Sequence, residues 1–78
     1  MKTTVKAKRD LDLRAAKTIA ETAGQFKSET RLLFRDKGAN AKSLMGIITL
    51  SYKKGAEIVV YAEGKDADEA LAALKELL

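Results

Sequence analysis

The run Glu57-Ile-Val-Val-Tyr-Ala-Glu63 constrains the fold most, because its five consecutive apolar residues leave neither face of a strand polar. Such a strand belongs in the interior of a sheet, with a neighbour on each side. Two other segments alternate as half-buried strands do. In Lys2–Lys8, Thr3, Val5 and Ala7 face one way and Lys2, Thr4, Lys6 and Lys8 the other. In Glu29–Arg35, Thr30, Leu32 and Phe34 oppose Arg31, Leu33 and Arg35. Asp36-Lys37-Gly38 then predicts a turn into a short strand around Ala39–Ala41.

Between these strands the apolar period changes to that of a helix. Asp12 to Ala23 places Ala16, Ile19, Ala20 and Ala23 at helical spacing, with Gly24 at the position of a left-handed cap. Ser43–Tyr52 is denser in apolar residues than a half-buried strand, and Ser43 is a good N-cap, which predicts a short second helix. After the breaks at Lys53-Lys54-Gly55 and Gly64-Lys65, Asp66–Leu78 lays Ala67, Ala70, Leu71, Leu74, Leu77 and Leu78 along one face. Asp66 with Glu69 is close to a capping box. The order βαββαβα predicts an α+β open-faced sandwich: a four-stranded, mainly antiparallel sheet with three helices on one face. At 78 residues, the expectation is one domain spanning residues 1–78.

The chain has no histidine and no cysteine. That removes a disulfide framework, a thiol nucleophile and the usual zinc or haem ligands, and no cofactor or metal is expected. Residues 1–54 carry 13 basic and 5 acidic side chains, a net of +8, whereas residues 55–78 carry 2 and 6, a net of −4. An anion-attracting surface should therefore come from the first two-thirds of the chain. No apolar run approaches the roughly 18 residues of a membrane helix, and Met1–Lys8 lacks the apolar stretch of a signal peptide, so a cytoplasmic domain without membrane insertion is expected. A small basic nucleic-acid-binding domain is one reading of the charge. It lacks an aromatic platform, since Phe26 and Phe34 read as core and only Tyr52 and Tyr61 remain.

Three strings change the functional reading. Ala41-Lys42-Ser43-Leu44-Met45-Gly46-Ile47, together with Lys54-Gly55-Ala56-Glu57-Ile58 and Glu69-Ala70-Leu71-x-Ala73-Leu74, resembles HPr, the small phosphocarrier of the bacterial sugar phosphotransferase system, over essentially the whole chain. The resemblance implies a non-enzymatic phosphoryl carrier, with a regulatory serine at Ser43. Counting back 31 residues from Ser43 reaches Asp12, where the family has its phosphoryl-accepting histidine in a Gly-(Leu/Ile)-His-x-Arg-Pro motif. Here the motif reads Asp10-Leu11-Asp12-Leu13-Arg14-Ala15: Leu11 and Arg14 match, while Asp10, Asp12 and Ala15 replace the glycine, histidine and proline. In this respect the chain is similar to the catabolite-repression HPr-like proteins, which also lack the histidine and keep the serine.

Each site residue has more than one role open to it. Asp12 is a favoured N-cap; it could also imitate a phosphohistidine, or itself accept a phosphoryl group as an acyl phosphate. Arg14, with Arg9 and Lys17 nearby in sequence, keeps the helix end suited to an anion. Ser43 is an N-cap and, by the resemblance, the target of an ATP-dependent serine kinase. Leu44, Met45 and Ile48 are either core or, as the resemblance implies, an apolar patch that docks partners such as that kinase or a transcriptional regulator, rimmed by Lys17, Lys42, Lys53 and Lys54. The Asp66, Asp68, Glu69 cluster reads as helix capping. A further alternative is a variant or designed form of a true phosphocarrier with Asp12 placed at the histidine.

Overall fold

The computed structural model describes residues 1–78. Its elements are β1 (Lys2–Lys6), α1 (Leu13–Ala23), β2 (Glu29–Phe34), β3 (Lys37–Asn40), α2 (Leu44–Ile48), β4 (Glu57–Glu63) and α3 (Ala67–Leu77). This is the predicted βαββαβα order. The strands form one antiparallel sheet in the order β1-β4-β2-β3, so β4 is interior as expected, with β1 and β2 on its two edges and Val59 and Tyr61 half-buried on its second face.

Register carries the inward pattern across all four strands. Thr3, Val60, Leu32 and Ala39 form one row, and Val5 lies opposite Ile58 in the next. Val5, Ile58, Val60, Leu32 and Ala39 are buried beneath the helices, against Ala16, Ile19 and Ala23 of α1, Ile47 of α2 and Leu74 of α3. Each fully buried Ile or Leu contributes about 1.5–3 kcal/mol by leaving water. The opposite face of the sheet is open, and the molecule has the open-faced sandwich architecture.

Four local expectations change. β1 ends at Lys6, although Ala7 continues the ladder with an N–H donated to the Ala56 carbonyl at 2.8 Å. Gly24 is right-handed (φ −64°, ψ −16°), because the chain leaves α1 through tightened i→i+3 bonds from Gln25 and Phe26 to the Thr22 and Ala23 carbonyls. The hairpin turns at Arg35-Asp36 instead of Asp36-Lys37-Gly38, with Phe34 paired to Lys37 and Arg35 left-handed at φ 57°. Asp66 occupies the N-cap of α3 but makes no side-chain cap bond and no capping box with Glu69. Its carboxylate instead accepts the N–H groups of Lys27 and Ser28, each at 2.9 Å, and the Ser28 hydroxyl. Three donors at the entry of β2 outcompete the local cap.

Candidate functional site

The two predicted caps form as the sequence places them. Asp12, extended at φ −115°, ends the loop before α1, and its Oδ1 accepts the Ala15 N–H at 2.8 Å. Ser43 does the same for α2: its Oγ accepts the Gly46 N–H at 3.1 Å. Gly46 leaves room beside that hydroxyl, since a Cβ there would lie 3.3 Å from Oγ. Both side chains thus occupy the point where helical N–H groups are unpaired and negative charge is favoured.

The loop before α1 is fastened to the segment after α2. Leu11 donates its N–H to the Tyr52 carbonyl at 2.9 Å, and Asp10 Oδ1 accepts the Lys54 N–H at 2.7 Å. Tyr52 is buried, packed edge-on to Phe34 with ring centroids 6.3 Å apart. Burial raises the Tyr52 phenol above its ordinary range, partly offset by the nearby Arg9 guanidinium. Being buried, Tyr52 offers no stacking platform of the kind a nucleic-acid surface uses.

Lys42 lies at the other end of the helix pair. Its ammonium donates to the Phe26 carbonyl, beyond the C-terminus of α1, at 2.8 Å. α2 therefore runs back along α1, with Ser43 toward the C-terminal end of α1 and Asp12 toward the far end of α2. The 11 residues of α1 span about 16 Å. The predicted residues are not gathered at a point; they are spread along the paired helices. Arg14 and Lys17 are exposed on α1, and the Arg14 carbonyl accepts the Thr18 hydroxyl at 3.1 Å.

Between the two ends lies the apolar group. Met45 is 77% exposed, Leu44 and Ile48 are half-buried against the core, and Ile47 and Leu50 are the members of this segment that go fully inside. The five residues of α2 cannot bury all their apolar side chains in one direction. Leu13, not singled out from the sequence, is 65% exposed at the first position of α1, beside Asp12. Its signal was available as a leucine in the first turn, ahead of the Ala16–Ile19–Ala23 stripe.

Of the predicted site residues, Lys42 lines a cavity of about 160 Å3 with Glu29, Thr30, Arg31 and Asn40, whereas Asp12, Arg14, Lys17, Ser43, Leu44, Met45 and Ile48 line none. An exposed thioether and leucine between two capped helix ends suit contact with another macromolecule's surface better than enclosure of a small substrate. No helix is long and apolar enough to cross a membrane.

Comparison with known proteins agrees with this architecture. The family model "PTS HPr component phosphorylation site" matches residues 1–78. The phosphocarrier protein HPr of Bacillus anthracis is 34% identical with a TM-score of 0.94, over 100% of this chain and 95% of that one. The histidine-containing phosphocarrier protein of Mycoplasma is 33% identical with a TM-score of 0.91, over 99% and 90%. The Bacillus subtilis catabolite-repression protein Crh, crystallised as a swapped dimer, is 36% identical with a TM-score of 0.82, over 94% and 84%. Matched over its whole length in sequence and superposing in fold, the chain belongs to the HPr family, whose members are phosphocarriers of the phosphotransferase system and not enzymes.

Proposed function

We propose that this chain is an HPr-family regulatory and binding module that does not carry a phosphoryl group on histidine, with Asp12 standing at the acceptor position and Ser43 as its point of control. The observation that supports this is the absence of any histidine from the chain, together with a carboxylate already bonded to the α1 N-terminus. Asp12 Oδ1 takes the Ala15 N–H, a donor that a phosphoryl oxygen would otherwise use. Arg14 remains exposed next to it.

Ser43 suits a regulatory phosphate for a physical reason. A phosphoryl group there would add about −1.5 to −2 charge at a helix N-terminus, where that charge is tolerated, on the basic two-thirds of the chain. The docking surface comprises Asp12, Arg14, Lys17, Lys42, Leu44, Met45 and Ile48, and its partners are a serine kinase and a transcriptional regulator in the cytoplasm. Lys42 contributes there mainly by holding the start of α2 against Phe26.

Incubation with enzyme I and phosphoenolpyruvate tests the reading by mass spectrometry: the chain should keep its mass, and a gain of one phosphoryl group would overturn it. Incubation with an HPr serine kinase and ATP should add one phosphoryl group to the wild type and none to Ser43→Ala. Restoration of carrier activity by Asp12→His would favour a true phosphocarrier whose histidine was replaced.

A further inference from the structure

The largest cavity of the molecule lies away from Asp12 and Ser43. It is a groove of about 860 Å3 where the open face of the sheet meets the β2–β3 turn and the loop from α2 to β4. Its floor is apolar: Leu33 and Val59 are register partners on β2 and β4, with Ala56 beside them. Its rim is basic, with Arg35 from the turn and Lys53 and Lys54 from the loop. Glu57 is the single carboxylate in the lining, and it sits directly opposite Lys6 in the β1–β4 ladder.

The backbone carrying these groups is strained and fixed. Arg35 (φ 57°) and Ser51 (φ 48°) are the only left-handed non-glycine residues in the chain, and both line this groove. Such conformations are unfavourable for residues with a Cβ and collect at ligand clamps. The Arg35 guanidinium carbon lies over the Phe34 ring, 5.2 Å from its centroid, a cation–π contact that uses the face of the guanidinium and none of its N–H donors. The loop is pinned by the Lys54 N–H on Asp10 Oδ1 and by the Gly55 N–H on the Ala7 carbonyl at 2.8 Å. Three cations on held backbone, set beside an aliphatic floor, fit a ligand that joins multiple negative charge to an apolar part. The volume falls in the range of small-molecule sites.

We propose that this groove binds a small organic phosphate, its phosphoryl oxygens taken by Arg35, Lys53 and Lys54 and its apolar portion resting on Leu33 and Val59. Lys53 and Lys54, expected from the sequence at the rim of the docking patch, line this groove, whereas Asp12, Arg14, Ser43, Leu44, Met45 and Ile48 do not.

Amide NMR titration tests this with three probes: ADP, which carries both parts, pyrophosphate, which carries the charge alone, and adenosine, which carries the ring alone. ADP should give saturable shifts centred on Arg35, Ser51, Lys53 and Val59, at lower concentration than either other probe. Its affinity should fall roughly tenfold in Lys53→Gln/Lys54→Gln and in Arg35→Gln, and should weaken with added salt. The double lysine variant keeps the backbone bond to Asp10, and an unchanged free spectrum verifies its fold. The proposal is overturned by the absence of saturable shifts at millimolar ADP, by shifts centred on Asp12 or Ser43, by pyrophosphate binding as tightly as ADP, or by undiminished affinity in the variants.

Discussion

Asp66 holds Ser28 from 38 residues away: one carboxylate oxygen accepts both the Ser28 N–H and its hydroxyl, while the other takes the Lys27 N–H. The Ser28 hydroxyl, then the Lys27 N–H, draw the Asp66 pKa down to about 2, below its ordinary value of 3.8. A carboxylate depressed in the folded state stabilises the fold above its unfolded pKa, and that contribution disappears as pH falls through the folded one. Asp66→Asn should therefore melt at a lower temperature than wild type at pH 7. The gap should narrow between pH 4 and pH 2, which thermal melts across that range will read.

Two glycines separate backbone strain from crowding. Gly55 is left-handed at φ 92° with open space where a Cβ would be, whereas at Gly64 (φ 141°) a Cβ would meet Ser28 Oγ at 2.7 Å and Ser28 Cα at 2.8 Å. Gly55→Ala should cost about 1–2 kcal/mol from backbone strain. Gly64→Ala should cost about 1–3 kcal/mol more, because Ser28 and its bonds to Asp66 must shift. Urea denaturation of the pair measures the difference, and equal losses would contradict the close approach of Gly64 to Ser28.

Ser51 predicts the opposite sign. Its φ of 48° costs a non-glycine residue on the order of 1 kcal/mol, and its hydroxyl returns only an exposed 3.3 Å bond to the Ile48 carbonyl. Ser51→Gly should raise stability by about 1 kcal/mol, seen as a melting temperature a few degrees higher by calorimetry.

Neighbouring apolar residues on α2 differ in burial, so truncating them should separate stability from the proposed docking. Ile47→Ala should cost about 2–5 kcal/mol, since the side chain is fully buried in the main core. Met45→Ala, at a position 77% exposed, should change stability by less than about 0.5 kcal/mol and, on the proposed function, slow the phosphorylation of Ser43 expected from an HPr serine kinase. Denaturant midpoints and kinase rates measured on both proteins test the division.

The caps supply a direct thermodynamic reading. Asp12→Ala and Ser43→Ala each remove one side-chain acceptor from a helix N-terminus and should cost about 1 kcal/mol, whereas Asp12→Asn, which retains an acceptor, should cost a few tenths. Matched urea curves distinguish them.

Element order, the interior place of β4 and the caps at Asp12 and Ser43 were all legible in the sequence: the caps rest on contacts three residues long, and the place of β4 on its apolar run, although the pairing itself is made with β1 and β2 far along the chain. An apolar period states which face is buried, and an Asp or Ser two to three residues before free N–H groups states where a helix starts. Tertiary structure decided what local rules leave open. Asp66 had an N-cap role within reach, but Lys27 and Ser28 brought three donors to it. Gly24 had the left-handed region available, but the path from α1 to β2 kept it right-handed. The hairpin passed over Asp36-Lys37-Gly38 and bent at Arg35, because pairing Phe34 with Lys37 and Leu32 with Ala39 keeps the inward row of the sheet in register. Met45 and Leu13 remained outside for the same reason: periodicity marks a residue as apolar, but only the packing of α1 and α2 on the sheet determines how many such residues the core has room to take.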